Sequence, residues 1–70
     1  MSVNVAAIRG LRLGESLTVS MPDYKACISA KNLVGYVKFA YPREGETYKT
    51  HIDRETFEFT VMVISKNEEV

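Results

Sequence analysis

The chain offers one cysteine, Cys27, and one histidine, His51, in seventy residues, and that scarcity constrains its fold more than any other feature. A domain of this size buries only about 60% of the surface its unfolded chain exposes, so natural ones commonly add disulfides, a metal or a partner subunit. One cysteine makes no internal disulfide. One cysteine and one histidine also fall short of the four ligands, usually Cys and His, of a structural zinc site. No metal and no cofactor is therefore expected. Stability has to come from a well-packed core or from self-association.

The raw material for a core is present, since 46% of the residues are hydrophobic, an ordinary share for a globular domain. The longest apolar run, Val61-Met62-Val63-Ile64, is far short of a membrane span. Met1-Ser2-Val3-Asn4 has no basic stretch leading into an apolar one, as a secretory signal would. No membrane association is expected, and the expected location is the cytoplasm.

Net charge is zero but unevenly spread. Residues 1–43 carry six basic side chains against two acidic ones, and residues 44–70 carry seven acids against three bases. A nucleic-acid-binding domain normally shows a net basic excess. Mutual neutralisation of the two halves in the fold is the simpler expectation.

Val3 to Ile8 reads as a strand, and the first twenty residues as one bent strand or a tight hairpin around the turn-like Arg9-Gly10 and Leu13-Gly14-Glu15. Ser20-Met21-Pro22-Asp23 predicts a helix start, with Ser20 or Met21 as cap and proline in the first turn. That helix is expected from about Pro22 to Val34, ending at Gly35. Tyr24, Cys27, Ile28 and Val34 share one side of it. Ala26, Ala30 and Leu33 form a second apolar strip, either ordinary exposed alanine surface or a seat for another helix. After Gly35 the period becomes two. Tyr36–Tyr41 reads as a strand with Val37, Phe39 and Tyr41 inward, Thr47–Ile52 as another, and Phe57–Ile64 as the strongest, with Phe57, Phe59, Val61 and Val63 inward. The core's centre is expected where Phe57, Phe59 and Val61 meet Tyr24, Ile28 and Val34. Met62 and Ile64 interrupt the polar face of the last strand.

The expected architecture is α+β: a small antiparallel sheet, a three-strand meander plus an N-terminal strand or hairpin, with one α-helix packed on one face. The order is β(β)-α-β-β-β. Residues 1–64 make a single domain and residues 65–70 a flexible acidic tail.

Nothing in this pattern asks for catalysis. A nucleophile needs a base beside it, and Cys27 and His51 are the one such pair. Cys27 belongs to the apolar side of the helix, where cysteine behaves as a small hydrophobe slow to react. His51 shares a solvated strand face with Lys49 and Asp53. Glu44, Glu46, Asp53, Glu55 and Glu58 fall at turns or on an outer face, where acids serve solubility. Gly10 and Gly14 flank Leu11-Arg12-Leu13, which is not a phosphate-binding fingerprint. The chain is therefore read as a non-enzymatic interaction protein. Interfaces favour Tyr, Met and Arg, so the candidate partner-binding residues are Arg9, Arg12, Tyr36, Lys38, Tyr41, Arg43, Met62 and Ile64. The alternative is a nucleic-acid-binding module, because Tyr36, Lys38, Phe39, Tyr41 and Arg43 interleave aromatic rings with cations. A weak homodimer through the helix strip or the last strand would account for the remaining apolar surface.

The stretch Ile8-Arg9-Gly10-Leu11-Arg12-Leu13-Gly14-Glu15-Ser16-Leu17-Thr18-Val19 resembles the opening I-R-x-L-x-x-G-E-S-x-x-V of small uncharacterised proteins of tailed bacteriophages. In that group a Gly-aromatic-x-Lys-Phe element follows the helix, and Gly35-Tyr36-Val37-Lys38-Phe39 is similar to it. The group's closing V-x-V-W-R strand has its counterpart in Thr60-Val61-Met62-Val63-Ile64, which lacks both Trp and Arg. The resemblance implies a phage-encoded regulator or inhibitor in the host cytoplasm. Such a protein would bind a host protein machine, such as RNA polymerase or a defence nuclease, and act by occlusion. It brings no catalytic residue.

Overall fold

A computed structural model describes residues 3–68 of the chain. The elements run α1 (Val5–Arg9), β1 (Ser16–Ser20), α2 (Tyr24–Ala40), β2 (Glu46–Ile52) and β3 (Glu58–Ser65), with a 3-10 turn at Lys66–Glu68. The protein is α+β, with a three-stranded antiparallel sheet in the order β1-β3-β2. β1 and β2 both run antiparallel to β3 and so parallel to each other. The connection β1–α2–β2 is thus a crossover whose two strands are split by the last one.

β3 holds the centre because it is the most apolar strand and can be covered on one face while paired on both sides. Phe59, Val61 and Val63 are buried. They form one cluster with Ala30, Val34 and Val37 of α2, Ile8 of α1 and Tyr48 of β2. The alternating side chains Glu58, Thr60, Met62 and Ile64 point away from the helices. Their register partners Ser16, Thr18 and Ser20 on β1, and Lys49 and His51 on β2, make that face polar apart from Met62 and Ile64. Phe59, Val61 and Val34 thus stand in the core as their spacing predicts. Tyr24 does not, being 40% exposed, and Ile28 and Phe57 are half-buried.

Two elements differ from the sequence-based expectation. Val3–Ile8 is not a strand. Asn4 caps a short helix, its Oδ1 accepting from the Ala7 amide at 2.8 Å, and asparagine is among the best residues for that role. Ile8 then points into the core, fully buried. α1 packs against α2, with Ile8 and Ala30 in the same cluster, so a helix of the same chain covers part of the Ala26–Ala30–Leu33 strip. The chain turns into β1 through Gly14, at φ 86°. There Gly14 N–H and Glu15 C=O both bond to Val63, a bulge of two residues against one whose first position favours glycine.

The second difference is that α2 does not stop at Gly35. Its cap is Asp23, whose Oδ1 accepts from Ala26 N–H at 2.8 Å, so Pro22 precedes the helix. The helix then continues to Ala40. Tyr36–Tyr41 is therefore helix followed by a cap residue, not a strand. Val34, Val37 and Tyr41 fit a helical period as well as Val37, Phe39 and Tyr41 fit a strand. Burial decides between them: a fully buried valine contributes about 1.5–3 kcal/mol, more than the roughly 1 kcal/mol that a mid-helix glycine costs. Val37 is fully buried as a result, and Phe39, expected inside, is 89% exposed.

The β2–β3 hairpin turns at Asp53. Its Oδ1 accepts from the amides of Glu55 (2.9 Å) and Thr56 (3.2 Å), and Phe57 N–H closes on Asp53 C=O at 2.8 Å. Phe57 is held in the left-handed region at φ 58°, a conformation costing about 1–3 kcal/mol for a non-glycine residue. Its carbonyl compensates by accepting from Met21 N–H at 2.8 Å and from the buried Cys27 Sγ at 3.5 Å. At the other end of β3, Ser65 still pairs with Glu46. Ser65 thus belongs to β3 and Lys66–Glu68 to the 3-10 turn rather than to the expected tail, and residues 69 and 70 lie outside the described part.

Candidate functional site

Five of the eight candidate residues gather where the C-terminal ends of α1 and α2 meet the start of β2. Arg43 is the centre of this cluster, and its donors are engaged within the chain. Nε donates to Tyr48 Oη at 2.8 Å and Nη1 to Glu46 Oε1 at 3.1 Å. Nη2 donates to the carbonyls of Arg9 (2.8 Å) and Leu11. The guanidinium also lies 5.2 Å from the centre of the Tyr48 ring. Partial burial disfavours its charge, but the bonds to Tyr48 and Glu46 outweigh that and raise its hold on the proton above the ordinary arginine value. Arg43 therefore acts first as a staple joining the end of α1 to β2.

Around the staple lies an open cleft of about 580 Å3, lined by Arg9, Leu11, Arg12, Tyr41, Arg43 and Tyr48 among others. The Arg9 guanidinium sits 4.1 Å over the Tyr41 ring, a cation–π contact that fixes a charge without neutralising it. Among the described residues that line it there is no carboxylate, the nearest to Arg43 being its partner Glu46. The Arg9 and Leu11 carbonyls are taken by Arg43, and Tyr48 Oη accepts from Arg43, leaving its own proton to donate. The lining thus presents mainly donors and positive charge, which suits an oxyanion such as a carboxylate.

An aromatic ridge adjoins the cleft. Tyr36 packs edge-on against Tyr41, ring centres 6.4 Å apart at 82°. Phe39 follows Tyr36 at the i,i+3 spacing that makes neighbours on a helix surface. Tyr36 is 54% exposed, and Phe39 is more exposed still. The strand reading puts Phe39 in the core and so keeps it off the candidate partner-binding residues, naming it only among the rings of the nucleic-acid alternative. The helical reading of Val34–Val37–Tyr41 would have turned Phe39 outward.

The remaining candidates lie apart from the cleft. Lys38, on the last turn of α2, borders a smaller hollow with Arg43, Glu46 and Lys66. Met62 and Ile64 are half-buried on the sheet face away from the helices. There they border a shallow hollow of about 220 Å3 with Leu13 and Ser16. Cys27 and His51 are on opposite sides of the sheet, one buried under α2 and the other exposed on the uncovered face. Among the described residues no three of His, Cys, Asp and Glu gather as a metal site, and no helix is long and apolar enough to cross a membrane. Compared with protein-family models, with curated proteins and with solved structures, the chain matches none.

Proposed function

We propose that this chain is a small non-enzymatic interaction protein. Its contact surface is the ridge Tyr36–Phe39–Tyr41 together with the Arg9–Arg12 cleft. The observation that carries this reading is Phe39, a phenylalanine 89% exposed one helical turn from the exposed Tyr36. Among the described residues no ring or cation contact engages it, and aromatic residues with arginine are what interface hot spots are made of. The partner that fits is a protein offering an apolar pocket for Phe39 with an acidic side chain beside it for the cleft. In the setting the phage resemblance implies, that partner is a host machine blocked by occlusion in the cytoplasm.

A nucleic-acid-binding module is the second reading, favoured by the cations interleaved with exposed rings. It is weakened by the zero net charge and by the commitment of Arg43 to the fold. The test is to place a photo-crosslinking amino acid at Tyr36 in cells, identify the captured partner, and measure its affinity for purified variants. Phe39→Ala should weaken binding at least about tenfold, the scale of a hot-spot truncation, while His51→Ala on the far face leaves it unchanged. Equal affinity for the two variants would refute the ridge as the contact surface. Capture of nucleic acid, with affinity falling steeply as salt rises, would establish the second reading instead.

A further inference from the structure

The sheet has two free edges, and they are not alike. β2 carries Glu46, Lys49 and His51 along its edge, and charged side chains are a common guard against unwanted strand pairing. β1, Ser16-Leu17-Thr18-Val19-Ser20, carries no charge, no proline and no internal bulge. The bonds Gly14 N–H to Val63 C=O, Val63 N–H to Glu15 C=O and Met21 N–H to Phe57 C=O set the phase of the β1–β3 ladder. By antiparallel alternation, Leu17 and Val19 exchange bonds with Val61 and Phe59. The N–H and C=O groups of Ser16, Thr18 and Ser20 therefore point out of the sheet. Among the described residues no backbone bond from elsewhere reaches them, and all three are exposed.

We infer that two copies of this chain associate through β1, edge to edge and antiparallel, about a two-fold axis at Thr18. The register is self-complementary. Thr18 pairs with Thr18 of the second copy and Ser16 with Ser20, so the outward groups of all three residues are used in both chains. No charge meets a like charge along the paired strands. On the uncovered face, the existing Thr18–Thr60 hydroxyl contact at 2.9 Å extends into a row Thr60–Thr18–Thr18–Thr60, and threonine pairs suit neighbouring strands. On the helix side, Leu17 falls opposite Val19 of the second copy, which covers a leucine left half-buried in one chain. The product is a six-stranded sheet in which only the charged β2 edges remain free. This interface is separate from the aromatic ridge and does not rest on the proposed function.

Sedimentation velocity from micromolar to millimolar protein tests the inference, with amide hydrogen exchange as the local readout. Wild-type protein should shift towards a dimer as concentration rises, and the amides of Ser16, Thr18 and Ser20 should exchange more slowly with it. Thr18→Pro removes one outward donor from each chain without touching a backbone bond to β3, giving up only the Thr18–Thr60 hydroxyl contact, and proline is tolerated on an edge in that orientation. It should weaken association at least about tenfold, since two hydrogen bonds of about 1 kcal/mol each are lost. The double variant Ser16→Lys with Ser20→Lys puts like charges opposite each other and should give a monomer with unchanged circular dichroism, which keeps the test decisive if the proline variant misfolds. A monomer at every concentration would overturn the inference. So would a dimer that the lysine pair leaves intact, since the interface would then lie elsewhere, the Met62–Ile64 face included.

Discussion

The two ends of α2 are fastened by different means. At the N-terminal end the work is shared among three hydrogen bonds, each with a backbone group on at least one side. Asp23 caps the helix, and the Phe57 carbonyl receives Met21 N–H and Cys27 Sγ, so the hairpin tip seals the start of the helix. At the C-terminal end one long side chain makes four hydrogen bonds: Arg43 reaches from the α2–β2 connection to Tyr48, Glu46 and two carbonyls around the end of α1. The first arrangement leaves one ring, Tyr24, 40% exposed. The second holds α1, α2 and β2 together while Phe39, Tyr36 and Tyr41 stay in water. A domain this small has little apolar area to spare, and the exposed rings at this end are the surface that the proposed function assigns to a partner.

The comparison implies one core with two separable fastenings, and the core should fail first and completely. Phe59→Ala removes the largest fully buried side chain and should cost about 3–5 kcal/mol, much of the stability of so small a domain. Urea unfolding followed at both ends should then show one shifted transition. A mutant melting within a few degrees of the parent would mean that Phe59 does not occupy the centre that both ends share.

Arg43→Met comes next. Methionine keeps part of the apolar stem but makes none of the four hydrogen bonds, and the staple is partly exposed. A loss of about 1–3 kcal/mol is expected, with faster amide exchange in α1 and little change around Asp23 and Phe57. Equal loosening at both ends would show that the two fastenings are not separable.

The legible parts of this fold were those where period and burial agree. β3 was plain because Phe59, Val61 and Val63 alternate over a full strand, and the end of β2 was marked by its alternation to Ile52 and the turn residues after it. The α+β class followed from those elements. Where several signals coincided on one short segment, local reading failed. Tyr36–Tyr41 satisfies a two-residue and a helical period at once, and Gly35 suggested a stop that the burial of Val37 overrides. Val3–Ile8 has strand-like composition, yet the Asn4 side chain caps a helix and Ile8 has a core to enter. The candidate site was legible in part: Arg9, Arg12, Tyr36, Tyr41 and Arg43 do converge. That Arg43 is a staple depends on two backbone carbonyls over thirty residues away, which no local pattern announces, and Phe39 was lost with the misread strand.

The N-terminal fastening should show its own pH signature. Hydrogen bonds from the Glu55 and Thr56 amides hold the Asp53 carboxyl below the usual aspartate range. A carboxyl whose folded value is depressed adds stability above its unfolded value and loses it as pH falls through the folded one. Asp53→Asn keeps an oxygen for the turn but cannot titrate. Its stability should therefore change less than the parent's between neutral and acid pH, on denaturant unfolding at a series of pH values. Parallel curves would show that the turn does not depend on the charge.

The smallest expected effect lies where the two halves of α2 join. Gly35 is helical, exposed, and has nothing within 4 Å of where a Cβ would stand. Its φ is not in the left-handed region, so alanine there meets neither a clash nor backbone strain. Glycine in a helix interior costs roughly 0.5–1 kcal/mol relative to alanine, largely through the freedom it has in the unfolded chain. Gly35→Ala should raise stability by about that amount. It should also slow amide exchange over Tyr36–Ala40, stiffening the ridge without altering its surface. If the C-terminal half of α2 is continuous helix in solution, both effects appear together. A Gly35→Ala variant less stable than the parent would mean that the helix breaks at Gly35, which would return Tyr36–Tyr41 to an extended segment and move Phe39 off the ridge.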